Sequence, residues 1–106
     1  MKFTTLIPTT LNDGTPVDPA VIDATIQGWA IQFGGATVEG TCVGHWIDTA
    51  DGRHYQDTTI RVSVVCGNDE YAAAVEAVEA MGRMLGQKAV YFEVRDFDGV
   101  QFRRLE

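Results

Sequence analysis

A helix-to-strand junction occurs twice in this chain: residues 29–38 read WAIQFGGATV and residues 81–90 read MGRMLGQKAV. In each, an amphipathic helical pattern is stopped by glycine, at Gly34 and at Gly86, and a β-type run follows at once. Between the junctions, Asp51-Gly52 marks a hairpin turn. With a strand before the first helix and a strand pair between the helices, the order predicts an α+β, ferredoxin-like split β-α-β-β-α-β domain. Its antiparallel sheet carries two helices on one face, and a C-terminal extra strand follows.

Residues 3–8 (FTTLIP) read as the first strand, ended where Pro8 removes a donor. Asn12-Asp13-Gly14 supplies turn chemistry, and Asp18-Pro19 reads as an N-cap with proline at the first helical position. Ile22, Ile26, Trp29 and Phe33 then share one helix face, and Gly28 within that helix is expected to mark close packing. Residues 37–48 and 57–66 flank the turn. A two-residue loop there would set Val43 against Ile60, Thr41 against Val62 and Glu39 against Val64.

Ile60, Val62 and Val64 mark the core side of the sheet. The opposite face then carries Cys42, Gly44, Trp46, Tyr55, Asp57, Thr59 and Arg61, so Trp46 is expected outside the core. The second helix is expected to open at residues 67–70 with an Asn or Asp cap and to bury Tyr71, Ala74, Val75, Val78, Met81 and Leu85. Residues 89–95 (AVYFEVR) form the last core strand, with Val90, Phe92 and Val94 inward and Tyr91, Glu93 and Arg95 outward. Asp98-Gly99 suggests a closing hairpin that pairs Phe97 with Val100 and Glu93 with Arg104, its edge protected by Arg103 and Arg104.

A chain of 106 residues makes one domain, 1–106, and its 45% hydrophobic and 22% charged residues suit an ordered globular protein. The net charge of −7 argues against nucleic-acid binding, which draws on clustered Lys and Arg. Residues 1–17 hold Lys2, Pro8 and Asp13 and no signal-like apolar core, and no apolar run reaches membrane-spanning length. A cytoplasmic protein without membrane contact is expected. Cys42 and Cys66 fall on opposite sheet faces in this register and are expected to be reduced.

No nucleophile elbow, CxxC pair, GxGxxG or GxxxxGK occurs. His45, His54, Asp48, Asp51 and Asp57 gather near the hairpin. The two histidines, however, lack helical spacing and are expected on different faces, so a solvated turn is favoured and neither metal nor cofactor is expected. The constellation that remains is Trp46, Tyr55, Asp57 and Arg61, extended by Tyr91, Glu93 and Arg95: an aromatic and charged face that no helix covers. RNA recognition would need stacking aromatics on the third strand, a phosphatase an arginine in the first loop, and a tautomerase an N-terminal proline. None is present.

Pro8-Thr9-Thr10, Asn12-Asp13-Gly14, Phe33-Gly34-Gly35-Ala36-Thr37, Gly44-His45-Trp46, Asp51-Gly52 with Tyr55 and Asp57, and Leu85-Gly86-Gln87 with residues 90–94 run along nearly the whole chain. In these elements the sequence resembles a family of small bacterial and phage-associated proteins of unknown function. The resemblance implies fold and brings no catalytic residue.

The leading expectation is a non-catalytic module that self-associates as a homodimer or binds a protein partner through the Trp46 face. The alternative is a small-molecule-binding protein or small enzyme with a cleft near Trp46, Tyr55, Asp57 and Arg61, in which Asp57 or His45 accepts a proton. A third reading, an acidic inhibitor that mimics nucleic acid, is motivated by charge alone.

Overall fold

The computed structural model of the chain describes residues 1–95 and 103–105. Its elements are β1 (Lys2–Pro8), α1 (Pro19–Phe33), β2 (Thr37–Ile47), β3 (His54–Val65), a 3-10 turn (Asn68–Glu70), α2 (Tyr71–Met84) and β4 (Glu93–Arg95). The strands lie in the order β2-β3-β1-β4, each neighbour antiparallel. This is the ferredoxin-like arrangement read from the sequence. The hairpin at Asp98-Gly99 and the pairing of Phe97 with Val100 lie outside the described residues. Residues 103–105 are described and carry no strand, so the expected edge at Arg103 and Arg104 is not found there.

Phe3, Ile7, Val62 and Val64 point from the sheet into a core closed by Trp29, Ala74, Val78, Met81 and Leu85. The Phe3 ring meets Trp29 edge-on at 6.4 Å and Phe33 at 5.4 Å, and stacks on Phe92 at 5.6 Å. Fully burying one phenylalanine among three aromatic rings is worth about 2–3 kcal/mol in apolar transfer.

The first helix begins and ends as its sequence signals. The Asp18 carboxylate accepts from the Ala20 N–H at 2.9 Å, and Gly34 closes the helix at φ 93°. Ile22, Ile26 and Phe33 pack half-buried around Trp29. Gly28 departs from expectation: it is exposed and nothing lies within 4 Å of where its Cβ would be.

The close-packing glycine is in α2 instead, where Gly82 lies against Val90. Helix α2 also starts later than its Asn and Asp residues suggested, because residues 68–70 first make a 3-10 turn. There the Glu70 carboxylate, not an Asn or Asp side chain, accepts from the Gly67 N–H at 3.1 Å. Its buried stripe is Ala74, Val78, Met81 and Gly82, with Leu85 beyond. Tyr71 is 52% exposed and meets Phe92 edge-on, because the stripe is rotated away from it.

Two corrections to the strand pairing set the geometry of the open face. The turn between β2 and β3 is wider than two residues: Asp48 N–H donates to the Arg53 carbonyl, and the Asp48 and Asp51 carboxylates accept from Ala50 and Arg53 N–H. Thr41 therefore pairs with Ile60, Val43 with Thr58 and Trp46 with Tyr55. A slip of two residues keeps Trp46, Tyr55, Asp57 and Arg61 on their expected face, since the strand period is two.

The second correction is a bulge at Glu39, between the Val38–Val62 and Gly40–Arg61 pairs, with Gly40 at φ 129°. The extra residue turns Glu39 away from Val64 and toward Arg61. Strand β4 is also shorter than the 89–95 run predicted, although Val90 and Phe92 still pack on the core.

Strand β1 pairs with β3 only from Thr59 onward. Residues 44–47 and 54–57 thus extend past the three-stranded part as a two-stranded ribbon. No helix among the described residues packs on it, and Trp46, Ile47 and nearby Val43 are each about half exposed.

Candidate functional site

Period-two alternation sends Thr4 of β1, Arg61 and Ser63 of β3, and Glu93 and Arg95 of β4 to the face opposite the helices. The bulge adds Glu39 from β2. These groups form one polar chain that crosses all four strands. Ser63 Oγ donates its single proton to the Glu39 carboxylate, so Thr4 Oγ1, 2.8 Å away, is the donor to Ser63. Arg61 stands between two carboxylates, its Nε 3.9 Å from Glu39 Oε1 and its Nη2 3.7 Å from Glu93 Oε1. Tyr91 Oη donates to Glu93 Oε2 at 2.6 Å, and Arg95 Nε lies 3.6 Å from Glu93 Oε1.

Thr4 and Ser63 are each only 3% exposed although no helix among the described residues covers this face. Each nevertheless has a partner, and every buried side-chain polar atom among the described residues is hydrogen-bonded. The hydrogen bond from Tyr91 chiefly holds the Glu93 carboxyl below its ordinary range; burial opposes it, and the nearby Arg61, Arg95 and Lys2 charges add to the lowering. The same hydrogen bond raises Tyr91, which stays a protonated donor at neutral pH. The site thus offers a fixed cation, two anions and a hydroxyl within one patch.

The other expected residues form a second group on the same face of the ribbon. Trp46 and Tyr55, a directly opposed pair, stack with centroids 4.4 Å apart and planes 15° from parallel. Trp46 Nε1 donates to Asp57 Oδ2 at 2.7 Å, and the Arg53 guanidinium lies 5.5 Å from the centre of the Tyr55 ring. All seven sequence-predicted residues therefore share one face but form two groups. Asp57 and Arg61, four residues apart on one strand, are separated by about 13 Å.

Sequence reasoning missed Glu39, Ser63 and Thr4. Glu39 was assigned to the core side because the bulge has only Gly40 as its signal, and Ser63 and Thr4 are unremarkable until paired. The structure also corrects the placement of His45 and His54, which lie on the same face of the ribbon with Nδ1 and Nε2 3.0 Å apart. Antiparallel pairing of His45 with Gln56 and of Ile47 with His54 makes them diagonal neighbours. Cys42 and Cys66 are both free, and burial, then the Glu70 charge, raises the Cys66 thiol, which leaves it a poor nucleophile.

Two shallow grooves occur elsewhere. One lies between Gly82, Arg83 and residues 87–90, the other between residues 11–13 and 84–86. Neither touches Trp46. No helix among the described residues is long and apolar enough to cross a membrane.

No protein-family model matches the chain, and no curated protein sequence does. Among solved structures, the fold is similar to a phage SAM lyase in complex with S-methyl-5'-thioadenosine, with a TM-score of 0.68 and 12% sequence identity over 90% of this chain and 79% of that one. At that identity the likeness is one of fold: this chain and the phage protein share a ferredoxin-like α+β architecture.

Proposed function

We propose that the open sheet face binds a small molecule that combines an aromatic ring system with a charged polar end, of the nucleoside thioether type, and that a second copy of the chain closes over it. The observation that carries this reading is the polar chain Thr4–Ser63–Glu39–Arg61–Glu93–Tyr91 on a face that no helix among the described residues covers. Organising a cation between two carboxylates costs desolvation that a packed apolar surface would avoid. Such groups suit a ligand with its own charges and donors. The Trp46–Tyr55 stack supplies a π surface on the same face, and the similar fold of the phage lyase holds an adenosine thioether.

Isothermal titration with S-methyl-5'-thioadenosine and with S-adenosylmethionine tests the proposal. Binding of either, weakened about tenfold or more in Arg61→Ala and in Glu93→Gln, is the expected result. Absence of binding by both at millimolar concentration overturns it. Conversion of S-adenosylmethionine during the titration, followed by chromatography, decides between a binding protein and an enzyme.

A second reading, self-association without a ligand, is favoured by the ribbon. A two-stranded hairpin is marginally stable alone, and this one exposes Val43 and Ile47 on one side and Trp46 on the other. The outer edge of β2, eleven residues without Pro or Lys, pairs with no other strand among the described residues, which suits it to pairing with a second copy. Light scattering that finds a stable monomer with and without ligand, unchanged in Trp46→Ala, sinks this reading and the closing of a second copy over the ligand, and leaves ligand binding itself to its own titration.

A further inference from the structure

The wide turn and the shifted register bring His45 and His54 together on the ribbon face opposite Trp46. Their rings are stacked at 5.2 Å, 25° from parallel, with His45 Nδ1 and His54 Nε2 3.0 Å apart, and both side chains are exposed. Two nitrogen ligands bound at 2.0–2.1 Å to one metal stand about 2.9 Å apart at a right angle and about 3.4 Å apart at the tetrahedral angle. The observed separation lies within that range. We propose that His45 and His54 form a two-histidine chelating site for a late first-row divalent metal ion, Cu(II) in preference to Ni(II) or Zn(II).

The ribbon supplies the preorganisation. Pairs His45–Gln56, Trp46–Tyr55 and Ile47–His54 fix the two backbones, so the site needs rotation of side chains only. In the metal-free protein one ring nitrogen donates to the other. Metal binding replaces that shared proton, and the histidine that donated keeps its proton on its other ring nitrogen, so neutral imidazoles need only a change of tautomer. No third His, Cys, Asp or Glu completes a ligand set among the described residues. The remaining positions are therefore open to water or to a small anion, as in a site that keeps exchangeable positions. The donors are imidazoles without carboxylate, which disfavours Mg(II) and Ca(II) and gives the order Cu(II) over Ni(II) and Zn(II).

The test uses tag-free full-length protein, with Ni(II) followed by calorimetry and Cu(II) by electron paramagnetic resonance. One metal per chain with two coupled nitrogens is expected. His54→Asn and His45→Asn should each weaken binding by at least the roughly tenfold that even outer-sphere partners are worth. Cys42→Ser should leave binding unchanged. Both histidines are exposed, so circular dichroism of the variants should match the parent, and loss of binding in a folded variant supports the site. Failure of the parent protein to bind either metal, binding retained in both histidine variants, or equal binding of Mg(II) each overturns it.

Discussion

Gly82 packs against Val90 so closely that a methyl group on residue 82 would overlap Val90 Cγ1. A helix interior favours alanine over glycine by up to about 1 kcal/mol. Overpacking a tight contact costs about 1–3 kcal/mol. Gly82→Ala is therefore expected to lower stability by about 1 kcal/mol in urea unfolding. Gly28→Ala is the matched control, because nothing lies near its Cβ position and the residue is exposed. It should raise stability by up to about 1 kcal/mol. Equal and favourable effects of the two changes would show that α2 has room to move off residues 87–90.

Asn12 ties the first loop to the exit of α2: its Nδ2 donates to the Gly86 carbonyl at 2.9 Å, and Gln87 Nε2 donates to its Oδ1 at 3.3 Å. Asn12→Ala removes both bonds and is expected to cost about 0.5–1.5 kcal/mol, toward the lower end because the contacts are exposed. Hydrogen exchange should read the same change as faster exchange of the Gln87 amide, which donates to the Gly82 carbonyl. If exchange there is untouched, the loop does not brace the helix exit.

Much of this fold was legible because several signals agreed at each junction. Asp18-Pro19 began α1, Gly34 ended it, and Phe33, Trp29 and Ile26 lay on one stripe between those caps. What stayed hidden depended on pairing across strands. A hairpin turn of four residues rather than two shifted every partner, yet the faces survived because the slip was even. The bulge at Glu39 was different in kind, since one inserted residue moves a side chain through the sheet. Hence Trp46, Tyr55, Asp57 and Arg61 were assigned to the correct face, while the polar chain from Thr4 to Glu93 and the contact between His45 and His54 emerged only with the register.

The Tyr91–Glu93 hydrogen bond gives a pH dependence whose sign is fixed. Glu93 is held below its ordinary carboxyl range, chiefly by Tyr91, so its contribution to stability is present above the unfolded-state value and fades as pH falls through the lower folded value. Tyr91 is raised, chiefly by Glu93, so its contribution is present below the usual phenol range and is lost as pH rises past it. Carboxyl carbon shifts should report Glu93 titrating below the ordinary glutamate range. In Tyr91→Phe that titration should move upward while Arg61 and Arg95 still hold it partly down. An unmoved Glu93 would mean that the arginines, not the phenol, set its acidity.

The two tryptophans stand in opposite environments, Trp29 at 5% exposure and Trp46 at 48%. Acrylamide should therefore quench the fluorescence in two populations, a protected one from Trp29 and an accessible one from Trp46. Trp46→Phe should leave the protected population alone. The accessible population also reports on whatever covers the open face, because Trp46 stacks on Tyr55 with its indole N–H already satisfied by Asp57 and only its outer ring surface left to cover. If copies of the chain pair there, quenching of Trp46 should weaken as protein concentration rises; if a nucleoside thioether binds there, it should weaken as ligand is added at fixed concentration. Quenching that responds to neither would assign the stack to holding the ribbon together, and would leave the polar chain around Arg61 as the part of this face that meets a ligand.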